Sequence, residues 1–206
     1  MQYLEFKEQL KNFAVFSLAD IRKIEPKFHR ARLNEWQYKG HIKKLRRGFY
    51  MFSDLLLNEE MLFLIANRLY SPSYVSLETA LSFYGLIPEG VYSLTSVSTK
   101  KTASFKTPIT EFSYRKIKPA LLFGYRLETQ KEQGYKIAEM EKAVLDYVYL
   151  NPTIIREADF HEWRFNSQEF LAKADNAKLR GYAKAFKSKR FLEQTETLLA
   201  LIHRAK

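Results

Sequence analysis

A short basic segment, HIKKLRRGFYMF at residues 41–52, carries the clearest chemistry in the sequence. Its four cations, Lys43, Lys44, Arg46 and Arg47, lie among residues that favour β-strands. Long flexible cations of this kind neutralise phosphates and position a protein on nucleic acid without reading its sequence. The segment therefore predicts phosphate contacts, although charges on an exposed strand also prevent edge-to-edge aggregation.

The preceding segment, FHRARLNEWQYKG at residues 28–40, predicts a helix with two different faces. At 100° per residue, the apolar face holds His29, Leu33 and Trp36. The polar face holds Arg30, Asn34 and Tyr38. Asn pairs with adenine and Arg with guanine in a major groove, whereas the alternative is an ordinary solvated face. We expect the polar face to contact DNA, together with Lys27 in the turn before it.

The elements that position these residues begin with two short helices. Residues 3–13 are predicted to form an amphipathic helix. Ser17 is a good N-cap for the next helix, Asp20 completes a variant of the capping box, and Pro26 ends that helix. Gly40 is expected to close the third helix as its C-terminal cap.

A basic hairpin is predicted after the third helix. Ile42 and Leu45 anchor its first strand and residues 46–48 make its turn. Because Ile42 and Leu45 are three residues apart, we expect a bulge or a strand that starts only at Lys43. Short helices followed by such a hairpin are typical of a winged helix-turn-helix, which we predict for residues 1–54.

Residues 55–206 are predicted to form a larger α/β domain with a helical C-terminal end, so the fold class is α+β. Ser76 is expected to cap a helix that Gly85 terminates. Residues 91–137 are rich in Val, Thr, Tyr, Phe and Ser and predict about four strands. The chain from Pro152 onward is predicted to be helical.

Acid–base chemistry is suggested only by the segment EMEKAVLD, with Glu141, Lys142 and Asp146. At spacings i, i+1 and i+5 these side chains do not converge on one helix face, and a catalytic site needs groups that meet at one reacting atom. Lys142 and Asp146, at i and i+4, are predicted to form an ordinary surface pair. We therefore predict that the protein is not an enzyme.

Other catalytic and metal motifs do not emerge from the sequence. The four histidines lack the spacing of metal ligands, and the Glu-x-Lys pairs at residues 5–7 and 25–27 lack the acid-bearing strand of a nuclease. The sequence contains neither a glycine-rich phosphate loop nor a G-x-S-x-G elbow. We expect no metal and no cofactor.

A second basic run, KLRGYAKAFKSKR at residues 178–190, contains six basic residues and no acid. Arg180, Lys184 and Lys187 are predicted to align on one helix face. This face is either a second DNA contact or a solvated surface, because charge clustering alone does not separate the two.

The overall composition favours polyanionic partners. The chain has 34 Lys and Arg against 23 Asp and Glu, a formal charge of +11. It has no cysteine, which excludes disulfides and thiolate metal sites and fits a reducing compartment. Without a signal-peptide pattern or a membrane-spanning apolar run, we expect a cytoplasmic protein with no membrane partner.

Three ordered motifs resemble the AbiEi antitoxins of type IV toxin–antitoxin systems. The motifs are WQYKGHIKKLRRGFY, YVSLETALSFYGLIPE and AEMEKAVLDYV, and the resemblance spans residues 15–150. It implies an N-terminal winged helix-turn-helix that represses its own operon by binding operator DNA, followed by a domain associated with antitoxin activity. It also implies an AbiEii-like nucleotidyltransferase toxin as a functional partner, which the antitoxin need not bind.

A different class of protein also fits the sequence. In this alternative, the α/β domain binds a protein or RNA partner and DNA binding is secondary. The two hypotheses differ in which part of the chain holds the principal ligand.

Overall fold

Three short helices and a three-stranded antiparallel sheet form the N-terminal part of the protein, residues 2–52. A computed structural model describes residues 2–88, 93–130 and 133–205. The strand order of the small sheet is β1-β3-β2. The elements are α1 (Tyr3–Leu10), β1 (Phe16–Ser17), α2 (Leu18–Ile24), α3 (Ala31–Tyr38), β2 (Ile42–Arg46) and β3 (Phe49–Phe52).

The helix ends follow the predicted local signals. The Asp20 amide donates to the Ser17 hydroxyl over 3.3 Å, and the Ser17 amide donates to the Asp20 carboxylate over 2.9 Å. This reciprocal pair is the predicted capping box of α2, which ends two residues before Pro26. Gly40 follows α3 with φ +72°, a left-handed conformation that glycine adopts without a Cβ clash.

The β2–β3 hairpin turns at Arg47 and Gly48, with φ +85° at Gly48. Its register shifts between Lys44 and Arg46, which confirms the predicted bulge. Arg46, however, is the last residue of β2 and not part of the turn.

Aromatic rings fill the core of the N-terminal part. The rings of Trp36 and Phe6 have centroids 4.4 Å apart, and Phe28 lies 5.7 Å from Trp36. Trp36 is therefore a core residue that anchors α3. His29, which was predicted to share the apolar face, precedes the helix and is exposed. The buried residues of this core are Phe6, Leu10, Phe16, Ile21, Phe28, Leu33, Trp36, Ile42, Tyr50 and Phe52.

A six-stranded mixed sheet organises the C-terminal part, residues 59–204. Its strand order is β6-β7-β5-β4-β9-β8, with the pairs β4/β9 and β5/β7 parallel and the others antiparallel. Five strands lie in the region where about four were predicted, and residues 91, 92, 131 and 132 of that region fall outside the described residues. The elements up to the last strand are α4 (Glu59–Leu69), β4 (Ser73–Val75), α5 (Leu77–Phe83), β5 (Ser93–Ser98), β6 (Ala103–Lys106), β7 (Glu111–Lys116), β8 (Tyr125–Gln130) and β9 (Gln133–Ala138).

Helices complete the C-terminal part, as the sequence predicted. They are α6 (Met140–Leu150), α7 (Glu157–Glu162), α8 (Ser167–Lys173), α9 (Asn176–Ala185) and α10 (Lys189–Arg204), with 3₁₀ turns at Pro119–Leu121 and Pro152–Ile155. The predicted mixed α+β class is therefore confirmed. Within the described ranges, no helix combines the length and apolar character needed to cross a membrane.

The hairpin is covered on both sides because its strands alternate between two cores. Tyr50 and Phe52 face the N-terminal aromatic core, whereas Met51 belongs to the larger core of the C-terminal part. Ile42 and Leu45 are divided in the same way. Both residues are buried and anchor the first strand, each in a different core. The division at residues 54 and 55 remains a prediction, and the hairpin contributes to the cores on both sides of it.

Candidate nucleic-acid interface

The exposed face of α3 carries the polar residues that the sequence predicted. Leu33 and Trp36 are buried and hold the helix against the aromatic core. Asn34 and Tyr38 lie on the opposite side, and 93% of the Tyr38 surface is exposed. Arg30 occupies the N-cap position and is also exposed, so all three side chains extend into solvent.

These side chains are available to a ligand. Across the part of the chain that the structure describes, the side chains of Lys27, Arg30 and Asn34 form no hydrogen bond or ion pair. Their neighbours behave differently, because Lys39 donates to Glu35 over 2.6 Å one turn away on the same helix. The face of α3 thus contains both internally paired charges and polar groups without an internal partner.

The hairpin beside α3 presents three of the four predicted cations to solvent. Lys44 and Arg47 are exposed and Lys43 is partly exposed. None of the three forms an ion pair with a carboxylate in residues 2–88, 93–130 or 133–205. Since α3 packs directly on β2, the polar helix face and these cations lie on two adjacent elements.

Arg46 has a different environment from its neighbour Arg47. Its guanidinium carbon lies 4.4 Å from the ring centroid of Phe105, 5.0 Å from that of Phe49 and 5.9 Å from that of Tyr70. A cation held over aromatic faces is stabilised by the ring quadrupoles. The structure thus places Arg46 against the C-terminal part instead of at the hairpin tip, where it had been predicted to contact phosphate.

An ion pair also joins the two parts of the chain. Arg68 of α4 donates to Asp20 of α2 over 2.8 Å. Burial alone would raise the pKa of the Asp20 carboxyl, but hydrogen bonds from Ser17 and the adjacent Arg68 outweigh it and hold the pKa below its usual value. Together with Arg46, this pair fixes the position of the hairpin and helices relative to the larger sheet.

The second basic run does not form the predicted aligned face. Helix α9 ends at Ala185, and Lys187 lies beyond it with φ +50°. Arg180 donates to both carboxylate oxygens of Glu196 over 2.8 and 3.1 Å. The alignment of Arg180, Lys184 and Lys187 is therefore corrected, because one member is paired with an acid and another lies outside the helix.

Lys142 and Asp146 form the largest departure from the sequence predictions. Both side chains have no exposed surface, and their ion pair lies inside the C-terminal part instead of on its surface. Lys142 also donates to the Tyr74 hydroxyl over 2.6 Å, and Tyr74 and Ser76 donate to Asp146 over 2.7 and 3.0 Å. Ser76 stands at the N-cap position of α5 as predicted, but its hydroxyl bonds Asp146 and makes no capping hydrogen bond.

The environment of this buried cluster explains its electrostatics. Burial lowers the pKa of Lys142, and the charge of Asp146 opposes that shift. Burial and the same carboxylate raise the pKa of Tyr74 well above its usual value. The rings of Phe123 and Phe186 lie 5.0 and 5.4 Å from the ammonium nitrogen. Hydrogen bonds within the cluster serve both charges and join α6 to β4 and to the N-cap residue of α5.

Sequence reasoning missed this cluster because i, i+4 spacing is the same for exposed and buried pairs. The composition of α6 could have indicated that the pair is buried. Met140, Ala143, Val144 and Leu145 surround the charges with apolar residues on every side, and a helix that is apolar all round is buried.

No group of three or more His, Asp or Glu side chains within the described residues could hold a metal ion. A comparison with known protein families found no matching family, and a search of curated proteins found no match. The residues themselves therefore carry the functional argument.

Proposed function

We propose that this protein is a cytoplasmic, non-enzymatic regulator that binds duplex DNA through α3 and the β2–β3 hairpin, used as a winged helix-turn-helix. The observation that carries the proposal is the set of exposed polar side chains without an internal partner on two adjacent elements, α3 and the hairpin. In this set, Asn34 and Arg30 read bases from α3, and Lys44 and Arg47 hold phosphates from the hairpin. The positions of Leu33 and Trp36 support this orientation, because they bury the opposite side of α3.

We further propose that it is the autorepressor and antitoxin of a type IV toxin–antitoxin system. The motif resemblance supports this, and two of the three motifs meet in the buried cluster. Tyr74 and Ser76 come from YVSLETALSFYGLIPE, and Lys142 and Asp146 come from AEMEKAVLDYV. In this proposal the C-terminal part counteracts an AbiEii-like nucleotidyltransferase toxin without a required physical complex.

The DNA-binding proposal is tested by the salt dependence of affinity for duplex DNA. If Lys27, Lys43, Lys44 and Arg47 each neutralise one phosphate, log K against log salt has a slope of roughly −3.6 or steeper. A slope near zero would refute duplex binding. Stronger binding of single-stranded RNA than of duplex DNA would favour the alternative in which RNA is the principal ligand.

The antitoxin proposal needs a separate experiment. The full chain is co-expressed with an AbiEii-like nucleotidyltransferase toxin, under promoters that the protein does not control, and growth is measured. Rescue by the variant Lys44→Ala plus Arg47→Ala at the wild-type level is expected, because the antitoxin activity is assigned to the C-terminal part. Loss of rescue in this variant would assign protection to DNA binding.

A further inference from the structure

The C-terminal part has its own concentration of positive charge at one end of the large sheet. Residues 99–118 contain six basic residues and one acid, Glu111. Strands β5 and β7 are parallel, and Ser98 at the end of β5 pairs with Lys116 at the end of β7. The turn after β5, with Lys100 and Lys101, therefore lies at the same end of the sheet as Lys116.

Lys100, Lys101 and Lys116 are exposed at this end of the sheet, and we call them the sheet-end patch. None of them forms an ion pair with any carboxylate that the structure describes. The acid of this segment, Glu111, begins β7 and lies about 17 Å from Lys116 at the strand rise of ~3.3 Å per residue. It also accepts a hydrogen bond from Ser104. Glu111 therefore does not neutralise the sheet-end patch.

A single aromatic ring connects this patch with the hairpin. The Lys100 ammonium lies 5.3 Å from the Tyr70 ring centroid, and the Arg46 guanidinium carbon lies 5.9 Å from the same centroid. The Tyr70 hydroxyl donates to the Lys101 carbonyl over 2.8 Å. The turn after β5 is thus adjacent to the turn end of the hairpin, where Arg46 and Lys100 lie near the same Tyr70 ring.

The side of the sheet on which Lys116 lies agrees with this continuity. Phe105 is directly opposite Phe112, so the two share one face, and alternation along β7 places Tyr114 and Lys116 on that face as well. Phe105 is the ring closest to Arg46. Lys116 therefore extends from the face of the sheet against which the hairpin rests.

We propose that Lys100, Lys101 and Lys116 form a second phosphate-binding surface for the same DNA duplex that the hairpin contacts. This inference rests on the proposed function. A duplex carries one negative charge per roughly 1.7 Å of its axis, so a neighbouring unpaired basic surface adds phosphate contacts as the backbone continues. The sheet-end patch lengthens the footprint and adds affinity without sequence preference.

The test compares two charge-matched double variants of the full chain. Lys101→Ala plus Lys116→Ala removes two cations of the sheet-end patch whose side chains stack on no aromatic ring in the described structure. Arg156→Ala plus Arg204→Ala removes two exposed cations from the C-terminal helical region, neither of which is assigned a contact with DNA. Affinity for a random-sequence duplex of about 30 base pairs, roughly three helical turns, is measured from 50 to 200 mM salt, and thermal unfolding verifies that each variant is folded.

The patch variant is expected to make the slope of log K against log salt shallower by roughly 1.8, or about 0.9 for each lost phosphate contact. The helical-region variant should leave the slope unchanged. Equal changes in the two variants would show that affinity follows overall charge, and would overturn the inference.

A third variant, Lys44→Ala plus Arg47→Ala, separates this inference from the proposed function. If the hairpin variant reduces the slope and the patch variant does not, the second surface is refuted and the proposed function stands. If the wild-type protein does not bind the duplex at any salt concentration, the proposed function itself is refuted.

Discussion

Lys142 and Asp146 form an ion pair one turn apart on α6 with no exposed surface on either side chain. Each also shares a hydrogen bond with Tyr74, a residue of β4 that is about seventy positions earlier in the chain. Breaking such a pair is costly because it leaves one buried charge without compensation. The pair therefore couples the packing of α6 to the large sheet.

Removal of either partner is expected to destabilise the fold strongly. Asp146→Asn or Lys142→Met should lower the free energy of unfolding by about 3–5 kcal/mol, measured by urea denaturation. The double variant Lys142→Met plus Asp146→Asn should lose less than the sum of the two single variants. The matched control is Lys39→Met in the exposed i, i+4 pair with Glu35, which should be nearly neutral. Additive losses would show that the two charges do not interact.

Gly124 is expected to tolerate no side chain because it lies directly on Lys142. A Cβ added at Gly124, where φ is +69°, would lie 2.9 Å from the Lys142 Cγ. Gly124→Ala should lower the unfolding free energy by about 1–3 kcal/mol more than Gly48→Ala. Gly48 has φ +85° but open space around its added Cβ, so its variant measures backbone strain alone. Equal losses would mean that Lys142 moves freely.

Alanine substitutions of the adjacent arginines of the hairpin are expected to affect different properties, stability for Arg46 and DNA binding for Arg47. Arg46→Ala removes the cation packed on Phe105 and Tyr70 and should lower the unfolding free energy by about 2 kcal/mol. Arg47→Ala should leave stability nearly unchanged but make the salt slope of DNA binding shallower by about 0.9. If Arg46→Ala has wild-type stability and a shallower salt slope of DNA binding, Arg46 contacts phosphate as the sequence predicted.

The helix face and the hairpin are expected to contribute differently to DNA recognition. Asn34→Ala should reduce the preference for a duplex selected by the protein over random DNA by about 1–3 kcal/mol, because a bidentate base contact is lost. Lys44→Ala plus Arg47→Ala should weaken binding to both duplexes about equally. Competition binding at one salt concentration distinguishes these outcomes. A uniform loss for Asn34→Ala would assign this residue to the DNA backbone.

Stability is expected to depend on pH through Asp20. Because the folded-state pKa of Asp20 lies below its usual value, its contribution is present above about pH 4 and is lost as the pH falls through the folded-state pKa. Asp20→Asn should cost about 1.5–3 kcal/mol at pH 7, and the difference from wild type should shrink below pH 4. The exposed acid Asp54, paired with Lys7, provides the control, and Asp54→Asn should have little effect. A difference for Asp20→Asn that is constant with pH would exclude the carboxylate charge as its cause.

The sequence alone was sufficient wherever a few neighbouring residues determine the outcome. The capping box of Ser17 and Asp20, the cap at Gly40 and the bulge in β2 involve groups at most a few positions apart. The exposure of Asn34 was also predictable, because helical periodicity places it opposite Leu33 and Trp36. These features depend on backbone sterics and on one hydrophobic face.

Only the tertiary structure determined which charged side chains are buried from solvent. Arg46 and Arg47 are neighbours of the same type, yet Arg46 packs against Tyr70 and Phe105, two rings that are distant in sequence, and Arg47 is exposed. The spacing that places Lys39 beside Glu35 on the surface places Lys142 beside Asp146 in the core. The physical reason is that desolvation depends on all the chain segments packed around a group, and most of those segments are distant in sequence.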